Sequence, residues 1–186
     1  LGDVYKRQVR AIEAADIVLL QLEIPMETVE EAAVMAHRLG KKVVLNPAPA
    51  SELSSRLLGS LFAITPNETE AEKISGIRIT DEASAEYAAR RIASMGVRNV
   101  IVTLGVRGAL VFDGEHCERI PAYEMQAVDT TAAGDIFNGA FVVALSEGRS
   151  LPEAVRFACK ASAISVTRVG AQSSAPYRTE VDIFNR

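Results

Sequence analysis

Asp16-Ile17-Val18-Leu19-Leu20-Gln21-Leu22, a stretch of helical pattern from Met26 to Leu39, and Lys42-Val43-Val44-Leu45-Asn46 together decide the fold. The first run is apolar without alternation and bounded by polar residues, as in a strand covered on both faces. Val29, Ala32, Ala33 and Ala36 recur at helical spacing in the middle stretch, and Gly40 supplies a stop. The run around Val43-Val44-Leu45 is again strand-sized. Strand, helix, strand in this order implies a parallel pair joined by a right-handed crossover, the repeating unit of a doubly wound sheet. The expected fold is therefore α/β: three layers, with a doubly wound, mostly parallel sheet and helices on both faces.

The chain on either side extends this pattern. Leu61-Phe62-Ala63-Ile64-Thr65 reads as a third strand, with a helix beginning in the acidic residues after it. Asp81 to Met95 is an amphipathic helix with Ala85, Ala88, Ala89 and Ile92 inward and Gly96 at its end. Asn99 to Leu104 is the next strand, followed by a hairpin of Ala109–Phe112 and Cys117–Ile120 turned at Asp113-Gly114. A helix opens at Leu151-Pro152-Glu153 and runs to about Thr167, with Ala154, Phe157, Ala158, Ala161 and Ile164 buried. Asn46-Pro47-Ala48-Pro49-Ala50 reads as a turn fixed by its prolines. Leu1 to Gln8 has no clear periodicity and is expected as a leader, a non-native scar or a frayed terminus, ahead of a single domain over residues 9–186.

Composition narrows the function. A chain of 186 residues, 48% hydrophobic, can bury a substantial core. A net charge of −4 and a pI near 5.3, with no run of Lys and Arg, argue against a nucleic-acid surface. The two cysteines, Cys117 and Cys159, are far apart and suggest neither a disulfide framework nor a metal site, as in a reduced, cytoplasmic protein. No apolar run approaches the roughly 20 residues of a membrane span.

The chemistry concentrates in Val128-Asp129-Thr130-Thr131-Ala132-Ala133-Gly134-Asp135-Ile136-Phe137-Asn138-Gly139-Ala140-Phe141. Phe137, Phe141, Val142 and Leu145 recur at helical spacing, while the residues before them are small and polar. Such a helix begins with bare amides and the positive end of its dipole, and Ala-Ala-Gly lets an anion approach the backbone. Asp135 at the edge of that site reads in two ways. It is either a base that accepts a proton from a substrate hydroxyl, or a helix cap, with Asp129 stabilising the turn before it. In open α/β sheets ligands bind beyond the carboxyl ends of the strands. That rule singles out Glu23, which otherwise reads as a solvated loop carboxylate. Glu68 and Glu72 read equally as dipole complement. Thr103-Leu104-Gly105-Val106-Arg107-Gly108 reads as a tight strand-end turn or a phosphate loop, and no G-x-x-x-x-G-K-[ST] is present.

Asp129-Thr130-Thr131-Ala132-Ala133-Gly134-Asp135 resembles the D-T-x-G-A-G-D signature of the ribokinase family of sugar and nucleoside kinases. Ala132 stands where most members carry Gly. The resemblance extends from about Val9 to Phe184 and includes Gln21-Leu22-Glu23, Asn67-x-x-Glu70, Thr103 to Gly108, and Arg168 to Ser174 in the family's order. It implies that Asp135 is the catalytic base and that the amides of Ala132, Ala133, Gly134 and Asp135 form an anion hole. Glu23 and Asp135 would contact the sugar. Asn67, Glu70, Thr103, Leu104, Gly105, Val106, Arg107, Gly108, Gly134 and Asp135 would serve the nucleotide, with Glu70 reaching magnesium through water. Cys159 holds the position from which a His of the family lies near the adenine, leaving backbone and apolar contacts there. Asp129, Thr131, Ser165, Arg168, Gly170 and Ser174 would hold a monovalent cation, K⁺, several through backbone carbonyls.

By the same resemblance the reaction is phosphoryl transfer from MgATP to the 5-hydroxyl of D-ribose, giving ribose 5-phosphate and ADP. The partners are then a small sugar and ATP, with neither nucleic acid nor membrane, and the full-length protein is a homodimer. The chain matches the C-terminal portion of the family, without its N-terminal strands and lid, and is expected to be inactive alone. Fructose, 2-keto-3-deoxygluconate or adenosine as acceptor, or a silent nucleotide-binding module, are the alternatives.

Overall fold

A computed structural model describes residues 2–184, which form two compact units: 2–102 with 112–117, and 103–111 with 118–184. The first unit begins with helix α1 (Gly2–Ala14), followed by β1 (Ile17–Leu20), α2 (Met26–Arg38), β2 (Lys42–Leu45), α3 (Ser55–Leu58), β3 (Ala63–Ile64), α4 (Glu68–Ser75), α5 (Glu82–Ala93) and β4 (Asn99–Thr103). Then come β5 (Ala109–Phe112), β6 (Cys117–Ile120), α6 (Ala133–Ser146), α7 (Leu151–Ser165) and α8 (Arg178–Ile183). The architecture is α/β, as expected. Its strands follow the order β1-β2-β3-β4-β5-β6 in a mixed sheet. The first four run parallel, with Val18 opposite Val43, Val44 opposite Ala63 and Ile64 opposite Val100.

Within the first unit the unalternating apolar runs explain the parallel strands. Val43, Val44, Leu45, Ala63, Ile64, Val100, Ile101 and Val102 are all fully buried, as strands covered on both faces must be. The inward faces of α2 and α5 are those expected, with Ala32 half-buried and Val34 buried in addition. The carboxyl ends of the strands are tied by one side chain: Asn46 Oδ1 accepts from Gln21 Nε2 at 3.0 Å, and Asn46 Nδ2 donates to the Thr65 carbonyl at 3.2 Å. Strand β3 is shorter than expected, although Phe62 N and Thr65 N still bond Val43 O and Leu45 O at 2.8 and 2.9 Å. Helix α3 has no counterpart in the sequence reading, because four residues show no period; Ser54 Oγ caps it by accepting from Leu57 N at 3.0 Å.

Residues 2–8, expected as a leader, a non-native scar or a frayed terminus, are helical in the structure. They belong to α1, which continues to Ala14. Val9 and Ile12 are half-buried one turn apart, and the intervening Arg10 and Ala11 are good helix formers, so local propensity outweighs the weak apolar period. Residue 1 lies outside the described residues.

In the second unit α6 and α7 pack together. Phe141, Ala144, Ala154 and Ala158 are fully buried, and the many alanines of α7 let the helix backbones approach. Complete burial of Phe141 alone contributes roughly 2–3 kcal/mol on transfer grounds. Ser162 Oγ donates to the Ala133 carbonyl at 3.1 Å, tying α7 to the first turn of α6. Among the described residues no helix is long and apolar enough to cross a membrane.

Candidate active site

Helix α6 starts without a side-chain cap. Its N-cap, Ala132, sits at φ 59°, ψ 12°, the left-handed region, and is the one non-glycine residue with positive φ among the described residues. That conformation turns the chain sharply enough to leave the helix end open. A Cβ built on Gly134 meets no atom within 4 Å, so a ligand can approach the backbone there. One amide of the expected anion hole is used locally, since Ala133 N donates to Thr130 O at 3.2 Å. Asp135 is the third helical residue and is exposed. It does not occupy the N-cap position that the capping alternative requires.

The loop before the helix is held by Asp129. Its Oδ1 accepts from Thr131 N and its Oδ2 from Gly170 N, both at 2.9 Å. The hydrogen bonds from Gly170 and Thr131 hold the Asp129 carboxyl down to about 2, so it is ionised at neutral pH. Arg168 pairs with Glu180, Arg168 N donates to Ser165 O at 3.0 Å, and the buried hydroxyls of Ser165 and Ser174 donate to Ser162 O and Ala171 O. Asp129, Thr131, Ser165, Arg168, Gly170 and Ser174 thus all fall in the second unit, with Asp129 directly joining Thr131 and Gly170. Among the described residues no group of three His, Cys, Asp or Glu side chains could hold a metal ion, so a cation here would depend on carbonyl and hydroxyl oxygens as well.

The strand-end segment is shaped by glycine. Leu104 N donates to Gly108 O at 2.8 Å across a single 3₁₀ turn, Gly105–Arg107. Gly108 has φ +91°, and a Cβ there would lie 2.1 Å from Ile120 O and 2.6 Å from Ala122 N. Only glycine fits. Thr103, Gly105, Val106 and Gly108 line a cleft of about 520 Å³ together with Thr130, Ala133 and Gly134 of the helix start. The cleft also includes Ala122, Tyr123, Glu124, Met125 and Ala127 from the segment after β6, and Phe137, Cys159, Ser162, Ala163 and Val166 from the two helices. Burial pushes the Cys159 thiol up to about 12, so it stays protonated. An open helix N-terminus, a glycine turn and apolar walls can hold an anion at one place and a flat apolar group at another.

Leu104, Arg107, Ala132 and Asp135 do not line this cleft, although Ala132 and Asp135 flank Ala133 and Gly134, which do. Glu23, Asn67 and Glu70 belong to the first unit, where Glu23 is exposed in the loop after β1. Asn67 and Glu70 form a capping box: Asn67 Oδ1 accepts from Glu70 N at 2.9 Å, and Glu70 Oε2 accepts from Asn67 N at 2.8 Å. Glu70 is 5% exposed, and desolvation raises its carboxyl above the usual range against the opposing Asn67 hydrogen bond. The cleft walls at 122–127, Phe137, Ala163 and Val166 were not singled out by sequence. One signal was present, since Cys159, Ser162, Ala163 and Val166 fall at i, i+3, i+4 and i+7, on one face of α7 and its C-cap.

The profile described as pfkB family carbohydrate kinase matches residues 3–178. The chain belongs to the pfkB family of carbohydrate kinases. This pfkB chain is 50% identical to a ribokinase of Haemophilus influenzae over 181 residues, 97% of the chain and 59% of that relative. Its fold matches the structure of Arabidopsis thaliana ribokinase complexed with ribose and ATP at a TM-score of 0.90 and 34% identity, covering 94% of this chain and 57% of that one. A ribokinase from Thermotoga maritima matches at 0.84 and 44% identity, covering 94% and 58%. The pfkB chain therefore spans somewhat more than half the length of these relatives.

Proposed function

We propose that the protein transfers the terminal phosphoryl group of MgATP to the 5-hydroxyl of D-ribose, giving ribose 5-phosphate and ADP. The observation that carries this reading is the single cleft in which the open start of α6 meets the Thr103–Gly108 turn, with Asp135 in the same first helical turn. The likeness to ribokinases at 34% to 50% identity supports ribose as acceptor.

In this mechanism the backbone amides at the start of α6, aided by the dipole of a helix running from Ala133 to Ser146, face the phosphoryl group and stabilise its charge. Asp135 accepts the proton of the attacking hydroxyl. A carboxylate is a far weaker base than an alkoxide, so proton removal accompanies or follows phosphoryl transfer. A loose transition state needs little early deprotonation, and positioning with electrostatics carries most of the rate. Asp129, bridging Thr131 and Gly170, holds the helix-start loop in shape. Magnesium bound with the nucleotide supplies charge neutralisation on the triphosphate. The hard oxygen donors around Asp129, Thr131, Ser165, Arg168, Gly170 and Ser174 would hold a monovalent cation that stiffens the same loop. Glu23 is assigned to the sugar hydroxyls, and a homodimer is the assembly of the full-length protein.

The test is ribose-dependent ADP release with magnesium and potassium, by this chain alone and by the chain joined to the N-terminal part of the Haemophilus influenzae ribokinase. Asp135→Asn is expected to reduce turnover at least about a thousandfold while nucleotide affinity changes only a few fold. Near-normal turnover in Asp135→Asn, or no preference for ribose among fructose, 2-keto-3-deoxygluconate and adenosine in the active protein, would sink the assignment.

A further inference from the structure

Resting on the nucleotide reading above, the geometry points to a cleft that takes purine nucleoside triphosphates with little discrimination between a 6-amino and a 6-oxo base, so that GTP serves beside ATP. The phosphate end is fixed by Ala133 and Gly134. Ser162 bonds the Ala133 carbonyl, and Cys159 lies one turn back along α7, roughly 4.5 Å farther from it at the usual helical rise. Phe137 lies one turn into α6 from Ala133, so Phe137 and Cys159 face the part of the cleft away from the phosphates.

Strong discrimination between bases, of about 10⁴ or more, requires a buried polar group that the wrong base leaves unpaired. The buried residues of this cleft are Gly108, Phe137, Cys159 and Ala163, none with a side-chain nitrogen or oxygen. Its polar side chains are otherwise committed or wet. The Ser162 hydroxyl is used on Ala133, Glu124 and Thr130 are exposed, and Thr103 and Tyr123 are half-buried. Among the described residues no fully enclosed side-chain nitrogen or oxygen lacks a hydrogen-bond partner. The segment 122–127 is neither helix nor strand and presents backbone donors and acceptors at a water-accessible rim, where solvent can replace a missing partner. Walls of this kind select by shape, and adenine and guanine differ little in outline.

The experiment is calorimetric titration of the 186-residue chain with MgATP and with MgGTP. The two dissociation constants are expected to lie within about a hundredfold of each other, the reach of an apolar pocket. A ratio above that overturns the inference. Glu124→Gln and Cys159→Ala should move both affinities together; a variant that changes the ratio tenfold or more reveals a side-chain reader and also overturns it. Failure of both nucleotides to bind would remove the reading beneath it, an outcome distinct from binding of ATP alone.

Discussion

Ala132→Gly is expected to stabilise the protein although it removes a methyl group. Ala132 holds φ 59°, ψ 12° at the start of α6. A left-handed conformation costs an L-residue roughly 1–2 kcal/mol, while glycine at the same place adds about 0.4–1 kcal/mol of unfolded-state freedom. The central values leave a net gain of about 0.8 kcal/mol. The methyl is only half-buried, so little transfer energy is lost with it. In urea, at a slope near 2 kcal/mol per molar, the midpoint should rise by about 0.4 M. The melting temperature should rise by about 2–3 °C for a chain of this size. Ala133→Gly, one residue later at the first helical position and without a positive φ, serves as the control and should lose about 0.4–1 kcal/mol through unfolded-state freedom. Opposite signs for two adjacent Ala→Gly changes isolate the backbone conformation as the cause. If both substitutions lower the midpoint, the reasoning is refuted.

Gly108→Ala should destabilise by about 2 kcal/mol or more, read from the same urea transition, because φ +91° is combined with a Cβ 2.1 Å from Ile120 O; wild-type stability would mean the turn yields freely. Asn67→Ala should cost about 1 kcal/mol through loss of the α4 capping box, with Asn67→Asp retaining most of it; equal losses in both variants would count against the cap. Asp129, with its folded carboxyl held near 2, contributes stability that is present above the unfolded value of about 4 and fades as pH falls towards 2. The unfolding midpoint of the wild type should therefore fall more steeply across that window than that of Asp129→Asn, and parallel curves would remove Asp129 from the acid sensitivity.

Much of the fold was legible because its signals are local. The inward faces of α5 and α7 followed from the helical spacing of Ala85, Ala88, Ala89 and Ile92, and of Ala154, Phe157, Ala158, Ala161 and Ile164. The unalternating runs around Val44 and Ile101 announced covered parallel strands, whereas β1, expected to be covered on both faces, keeps Leu19 38% exposed and Ile17, Val18 and Leu20 half-buried. The places that escaped, the first turns of α1 and all of α3, are short segments whose apolar residues do not repeat often enough to mark a period. For the site, the small-residue helix start at Ala132-Ala133-Gly134 and the glycine turn at 105–108 were readable as separate anion-binding possibilities.

The amino-acid sequence by itself determined the α/β class, the helix faces, the residue types of the anion site and, through separated motifs, the kinase family. Tertiary structure alone decided that Thr103, Gly105, Val106 and Gly108, the start of α6 and one face of α7 line the same cleft, and that Asp129 spans to Gly170. Hydrophobic period and residue preference act over a few neighbouring positions, whereas a contact between Asp129 and Gly170 is made only when the packing of α6 against α7 brings two distant loops within hydrogen-bond reach.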